Sequence, residues 1–152
     1  MDKGELQNYI EENIPIIREM GFLVEDIGNE RVVVSGGYCR HINHTKSVFG
    51  GSISSVMTLA GWGRVRLLIE DFDPEATVVI KRNSTDFIKP VTEDYIVYTE
   101  VIDEKKISKF RKTYEKFGRG RVEVEACLTH RGKDDILARF KGEFVALKKD
   151  VK

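Results

Sequence analysis

The sequence has few cysteines, few prolines, no net charge and no long apolar run. Its two cysteines, Cys39 and Cys127, are too few for a secreted disulfide framework and favour a reducing cytoplasm. Because 25 basic residues balance 25 acidic ones, the uniformly positive surface of a nucleic-acid-binding protein is not expected. No apolar run approaches the roughly 18 residues of a membrane span, and the polar start, Met1–Glu5, does not resemble a secretory signal. We therefore expect a cytoplasmic protein with no membrane or nucleic-acid partner.

The composition suits one folded domain, which we predict over residues 1–152. Of its residues, 41% are hydrophobic and 33% are charged, and three prolines leave little room for a linker. The charge is uneven, because residues 1–30 carry eight acids and two bases whereas residues 104–121 carry eight bases and two acids. A solvated face is the first interpretation of this basic segment, and a site for phosphate or a protein partner is the second.

Hydrophobic spacing predicts three helices and six strands. The first helix contains Leu6 to Ile17, with Pro15 as a breaking point and Gly21 as its end. The longest helix, from Ser52 to about Glu70, is apolar on nearly all sides in its first half, as buried helices are, and Arg64 and Arg66 are expected nearer water. The other predicted elements are strands at 22–27, 31–35, 77–88, 94–102, 121–130 and 138–146, and a short helix with the apolar stripe Ile107, Phe110, Tyr114 and Phe117.

A helix that is apolar all round needs a sheet that wraps it. The order of elements therefore predicts an α+β fold with one curved, mostly antiparallel sheet around the long helix. Such a sheet has exposed edges, and pairing with a second copy of the chain would cover them. Trp62 lies between Gly61 and Gly63 in the long helix, and we interpret the two glycines as places where another backbone passes close.

Three segments resemble a known family. They are NHTKSVFGGS at 43–52, TLAGWG at 58–63 and STDFIKPV at 84–91. With the order of elements, they resemble hotdog-fold thioesterases, and among these the YiiD C-terminal-domain family of putative thioesterases, over about residues 5–148. The resemblance implies a hotdog fold and an acyl thioester substrate carried on coenzyme A or an acyl carrier protein. It also implies no separate cofactor, and a homodimer or a dimer of dimers.

Paired glycines before the long helix form the predicted binding site for the thioester carbonyl. The N–H groups of Gly50, Gly51 and Ser52, directly after Phe49, lie at a helix N-terminus, where free donors and the helix dipole favour a developing oxyanion. Glycine also lets a ligand approach the backbone closely. The alternative is that the two glycines only permit a tight turn into the helix.

Polar residues near the glycines are the candidates for positioning water and for the base. Asn43, with Thr58 or Ser55, would position a water molecule. His44, or Asp86 from a neighbouring strand of the same or the partner subunit, would take its proton. Each also has a simpler interpretation. Asn43 is then an Asx turn, His44 an exposed loop residue and Asp86 a strand residue that faces solvent.

Two departures from the family pattern put hydrolysis in question. Many hotdog thioesterases have His-Gly-Gly where this chain has Phe49-Gly50-Gly51, and many carry Asp or Glu where it has Thr58. A threonine hydroxyl can hold a water molecule but cannot take its proton at neutral pH. No acidic residue lies between Ser52 and Ile69. The alternative function is therefore a module that binds acyl-CoA or an acyl carrier without hydrolysing it.

Two further groups of residues suggest other kinds of site. Cys39, His41 and His44 offer metal ligands or a thiol nucleophile, but their spacing fits no standard site and no third orienting residue is evident, so no metal is predicted. The basic segment at 104–121 is read first as a solvated face, second as a docking site for a carrier protein and last as a nucleic-acid site.

Overall fold

The chain folds as one six-stranded antiparallel sheet around a 21-residue helix, in a computed structural model that describes residues 1–150. The strands lie in the order β1-β2-β4-β5-β6-β3. The elements are α1 Lys3–Asn13, α2 Pro15–Met20, β1 Leu23–Asp26, β2 Val33–Gly36, α3 Gly50–Glu70, β3 Thr77–Phe87, β4 Tyr95–Thr99, α4 Glu104–Phe117, β5 Arg119–His130 and β6 Ile136–Leu147. No helix within residues 1–150 is long and apolar enough to cross a membrane. The single-domain prediction stays a prediction, and its last residues, 151 and 152, lie outside the described part.

The N-terminal helix is broken where the sequence predicts. Asp2 and Glu5 form a capping box that fixes the start of α1. Pro15 begins α2, where a missing N–H costs nothing because that donor would have no partner inside the helix. Gly21 ends α2 in the left-handed region at φ 69°. The chain can therefore turn directly into β1.

The core lies between α3 and the concave face of the sheet. Alternate residues of β5 and β6 point toward α3, as their period-two spacing predicts. The inward residues, all at most 4% exposed, include Val122, Val124, Ala126, Leu128, Ala138, Phe140, Phe144 and Ala146. Inward side chains of the sheet therefore bury α3 along most of its length.

The two arginines of α3 are buried, and the prediction that they approach water is wrong. Arg64 is 8% exposed and Arg66 is 2% exposed. The turn after α3 folds back over the helix end, so the Arg66 guanidinium donates to the carbonyls of Pro74 and Ala76 and pairs with Glu70. Partners from this turn and from the helix itself make burial of the Arg66 charge affordable.

The apolar stripe of α4 is shorter than predicted. Phe110 and Tyr114 are buried and pack against Phe72, just beyond the end of α3. Phe117, however, is 64% exposed, because the helix ends there and Gly118 turns the chain away at φ 70°. Phe117 therefore belongs to the surface and not to the core.

The glycines beside Trp62 accommodate side chains, and the prediction that the backbone of the sheet passes close to them is wrong. Close passage of a partner helix stays a prediction. A Cβ on Gly61 would lie 2.8 Å from the Phe144 ring and 3.3 Å from the Phe140 ring. A Cβ on Gly63 would meet only Val32, at 3.6 Å, and Leu6, at 3.8 Å, both at ordinary contact distances. Gly61 is therefore required by packing, whereas Gly63 has room for a methyl group.

Strand β3 forms one edge of the sheet and is largely exposed. Its 11 residues pair only with β6, and its other side has no neighbour within residues 1–150. β3 runs back along α3, since the Trp62 Nε1 donates to the Val78 carbonyl at 3.0 Å and the Phe87 ring lies beside Gly50. The start of β3 thus lies near the C-terminal half of α3, and its end lies near the α3 N-terminus.

Candidate active site

A narrow loop returns the chain to the start of α3. The His41 carbonyl accepts from the Phe49 N–H, and the Ser47 carbonyl accepts from the Asn43 N–H, both at 2.8 Å. A bridge between Ile42 and Val48 completes this hairpin-like loop. Helix α3 begins immediately after it, at Gly50.

Two amide groups at this helix start have no acceptor within residues 1–150. Phe49 is the N-cap residue and offers no side-chain acceptor. The N–H groups of Ser52 and Ile53 donate to the Phe49 carbonyl at 3.0 and 3.2 Å, whereas those of Gly50 and Gly51 have no partner. Free donors and the positive end of the helix dipole therefore make this spot attractive to an oxyanion.

Aromatic rings border the paired glycines. The Phe49 ring lies across Gly51, and the Phe87 ring would be 3.5 Å from a Cβ on Gly50. Both rings are more than half exposed. Gly51 is nevertheless exposed and has no side chain, so its backbone can be reached from solvent beside the Phe49 ring.

An apolar cavity of about 330 Å³ lies one turn further along α3. Its polar wall is formed by Ser54, Ser55 and Thr58, and the Ser55 hydroxyl donates to the Gly51 carbonyl at 2.8 Å. The other lining residues are Ile14, Ile17, Leu59, Trp62, Ile80 and Phe144. None of these lining side chains is titratable. The cavity therefore suits an acyl chain, and it contains hydroxyl groups but no base.

His41 is the functional-site residue that the sequence analysis missed. Its ring is buried and stacks on Phe22, and its Nε2 lies 2.7 Å from the Met20 carbonyl. A carbonyl can only accept, so Nε2 carries a proton, and in the neutral ring Nδ1 accepts from the Ser52 hydroxyl at 2.8 Å. His41 thereby ties the first turn of α3 to the end of α2. Its only sequence signal was membership of the cysteine and histidine cluster.

Asn43 and His44 have the geometry of the simpler interpretations. The Asn43 Oδ1 accepts from the Thr45 N–H at 2.9 Å and from the Thr45 hydroxyl at 2.8 Å, which is an Asx turn. His44 is exposed at the loop tip. The paired loop strands separate it from Phe49 by about three extended residues, or roughly 10 Å. Asn43 and His44 therefore do not line the cavity that contains Thr58.

Asp86 lies on the outer face of the sheet, away from α3. It is exposed and stands opposite Arg139 in the ladder, whereas its neighbours Thr85 and Phe87 face inward. It shares an outer hollow with Arg139 and Cys127 and does not line the cavity of Thr58. Burial, followed by the charge of Glu100, raises the pKa of the Cys127 thiol. Cys127 is therefore a poor nucleophile at neutral pH.

The possible metal ligands do not converge. Within residues 1–150, no three His, Cys, Asp or Glu side chains stand close enough to hold a metal ion. Cys39 is exposed, whereas both ring nitrogens of His41 are engaged within the protein.

Comparison with known proteins assigns the family. Residues 3–148 match the family described as YiiD C-terminal putative thioesterase. The chain belongs to this family. A protein of unknown function from Chlorobaculum tepidum is 21% identical, with a TM-score of 0.90 over 97% of this chain and 94% of that one. A putative thioesterase from Shewanella oneidensis is 25% identical, with a TM-score of 0.82 over 95% and 96%.

The hotdog fold is confirmed by the same comparisons. A thioesterase from Haemophilus influenzae shares only 11% identity, yet it superposes with a TM-score of 0.77 over 97% of this chain and 92% of that one. In this YiiD-family member, as predicted, a long central helix lies against a curved antiparallel sheet.

Proposed function

We propose that this protein hydrolyses an acyl thioester whose acyl chain occupies the 330 Å³ cavity beside α3. The observation that carries the proposal is the pair of unpartnered amides at Gly50 and Gly51, one helical turn from that cavity. The thioester carbonyl would accept from these amides, and they would stabilise the oxyanion as a nucleophile adds to the carbonyl carbon. Membership of a putative thioesterase family supports the same chemistry.

The hydroxyl groups of the cavity wall would position the attacking water. Thr58 faces the cavity with no hydrogen bond to another side chain in the described residues, so its hydroxyl is free to hold water. Ser55 already donates to the Gly51 carbonyl and keeps lone pairs with which to accept from that water. The base would come from outside the lining residues. His44, on the loop that precedes Phe49, is the remaining candidate, because Asp86 lies on the other face of the sheet.

A homodimer would form through the free edge of β3, with a dimer of dimers as its possible extension. Antiparallel pairing about a two-fold axis near the middle of β3 would satisfy its unpaired edge. It would also cover the exposed apolar residues Ile80 and Phe87. The Thr77 end of one copy would then lie beside the Phe87 end of the other. A cytoplasmic location stays a prediction from the cysteine content.

Replacing Thr58 with valine tests the assigned site. Thr58→Val keeps the shape of the side chain and removes its hydroxyl, so kcat toward octanoyl-N-acetylcysteamine and octanoyl-CoA should fall at least about tenfold. Thr92→Val, at an exposed threonine outside the cavity, should leave kcat unchanged. Asn43→Ala should lower kcat by a smaller factor, because it loosens the loop before Phe49 and does not alter the cavity. Activity unchanged in both Thr58→Val and Asn43→Ala would remove this assignment.

A non-catalytic acyl-thioester-binding module is the second candidate function. It is favoured by one observation, that no titratable side chain lines the cavity. A non-hydrolysable thioether analogue of octanoyl-CoA should then raise the melting temperature, since a ligand at 100 times its Kd adds about 2.7 kcal/mol to stability. The same stabilisation without turnover of the thioester would select this module over the hydrolase.

A further inference from the structure

Two hollows flank the outer surface of α4 and contain many basic residues. The first lies along the helix and includes Lys105, Lys109 and Lys112. The second, of about 590 Å³, lies between α4 and the sheet and includes Lys81, Arg119 and Arg121. Thr113 lines both hollows, so they form one continuous surface, which we call the basic groove. Glu104 is the one acidic residue among the residues that line it.

Much of the positive charge in the groove is not neutralised by the protein. Within residues 1–150, no carboxylate lies within 4 Å of Lys105, Lys109, Lys112, Lys116 or Arg119. Lys81 and Arg121 share one acid, since each approaches Glu143 at 3.7 Å. Most of the charge on this surface is therefore available to an external anionic partner.

An apolar side chain stands in the middle of this charge. Phe117 lines the sheet side of the groove with 64% of its surface exposed, and the Lys116 ammonium lies 5.2 Å from its ring centroid. Leu147 beside it is 38% exposed. Aromatic residues ringed by charge are typical of protein interfaces, where the ring supplies burial and the charges supply orientation.

The basic groove of one copy would serve the thioester site of a second copy and not the site of its own chain. Within one copy, α4 packs at the C-terminal end of α3, so the groove lies about a helix length, roughly 30 Å, from Gly50. Lys81, however, belongs to the first half of β3. Two-fold pairing of β3 brings that half beside the Phe87 end of the second copy, where its Gly50 lies. Because Arg121 and Val145 in the groove face the outer side of the sheet, a flexible thiol arm that starts there would pass round the ends of the strands to reach the amides of the other copy.

We infer that the basic groove docks an acidic carrier protein, which presents its acyl group on a flexible pantetheine-type arm. This inference rests on the proposed function and selects the carrier over coenzyme A. The free bases run from Lys105 to Lys116, or about 16 Å of helix, and continue to Arg119. The phosphates of one nucleotide would engage only part of that length, whereas an acidic helix with an apolar contact for Phe117 matches all of it.

Charge reversal in the groove tests the docking. The variant is Lys109→Glu/Lys112→Glu. The control, Lys3→Glu/Lys133→Glu, changes the net charge equally at the start of α1 and in the turn between β5 and β6. The substrates are the octanoyl thioesters of three thiols: acyl carrier protein, coenzyme A and uncharged N-acetylcysteamine. Direct binding of phosphopantetheinylated acyl carrier protein without an acyl group is measured by calorimetry at low and high salt.

The groove variant should raise KM for the carrier substrate at least about tenfold at low salt, with kcat unchanged. High salt should reduce the difference from wild type. Rates with the other two substrates should stay within twofold of wild type, and the control should match wild type with all three.

The outcomes separate docking from hydrolysis. Carrier binding that is lost in the groove variant, without turnover of any substrate, would remove the hydrolase and leave the docking in place. Normal turnover of the two small thioesters, with no effect of the variant on the carrier, would overturn the docking alone. An equal loss with coenzyme A and carrier would also overturn it, because nucleotide phosphates would then be what the groove binds.

Discussion

At the scale of single residues, the start of α3 is fixed by a contact between side chains far apart in sequence. His41 accepts from Ser52 across 11 positions, and its other nitrogen donates to Met20, 21 positions away. Hydrophobic periodicity in the sequence cannot predict such hydrogen bonds, because they depend on how the loop before α3 folds. The Asx turn of Asn43 could be predicted from the sequence, because it joins residues only two positions apart.

Removing the Ser52 hydroxyl should destabilise the fold. Ser52→Ala leaves the buried Nδ1 of His41 without a donor, which costs about 1–3 kcal/mol of unfolding free energy. Ser54→Ala is the matched control, because Ser54 lies in the same helix turn and makes no side-chain hydrogen bond within residues 1–150; it should change stability by less than about 0.5 kcal/mol. Urea unfolding measures both variants. Equal stability of the two would contradict the role given to His41.

The two glycines beside Trp62 should respond in opposite directions to alanine. Gly61→Ala places a methyl group 2.8 Å from the Phe144 ring and should cost about 1–3 kcal/mol. Gly63→Ala meets only ordinary contacts and should stabilise the helix by up to about 1 kcal/mol. The urea midpoints of the two variants should therefore fall on opposite sides of wild type. Loss of stability in both would mean that Gly63 is also confined by packing.

At the scale of elements, the sequence predicts the regular helices and strands well. It predicts poorly the contacts that depend on how those elements pack against each other. The inward rows of β5 and β6 follow from period-two alternation, and the break before α2 follows from Pro15. The burial of Arg66 does not follow, because its partners lie in a turn whose return over α3 is a tertiary event. Asp86 is likewise a plausible base in the sequence, but the register of β3 against β6 places it on the outer face of the sheet.

A carboxylate that joins β1, β2 and the end of β5 should make stability depend on pH. Hydrogen bonds from Ser35 and then Arg131 lower the pKa of Glu25 below its ordinary value of 4.5. As pH falls below about 4.5, the unfolded chain takes up this proton first, so the stabilisation is lost through the lower folded pKa.

The loss of stability in Glu25→Gln should thus be largest near pH 7 and shrink below about pH 4. It should stay within about 1 kcal/mol, because the ion pair is partly exposed. Glu12→Gln, at an exposed position, provides the control. Thermal melts across the pH range measure both, and a difference for Glu25→Gln that does not change with pH would contradict this account.

At the scale of the whole molecule, the two edges of the sheet are unlike. Strand β1 at one edge has four residues, whereas β3 at the other has 11. Long exposed edge strands tend to pair, and short ones are protected by their length. The β3 edge is therefore where we expect a second copy of the chain.

Charge substitutions at the two edges of the sheet should show which edge forms the dimer. Phe87→Glu puts a charge at the proposed dimer edge and should shift the protein toward monomer. Leu23→Glu is the matched control, because Leu23 on β1 is 52% exposed, close to the 55% of Phe87. Light scattering over a concentration series measures the mass. A dimer unaffected by Phe87→Glu but broken by Leu23→Glu would transfer the interface to the other edge.

Trp62, the only tryptophan of the chain, lines the apolar cavity and donates through Nε1 to the Val78 carbonyl. Its indole therefore provides a built-in optical reporter of cavity occupancy. An acyl chain entering beside it would replace water next to the ring and shift its emission toward shorter wavelengths. Intrinsic fluorescence can thus rank chain lengths by affinity on unlabelled protein, even for compounds that are never turned over.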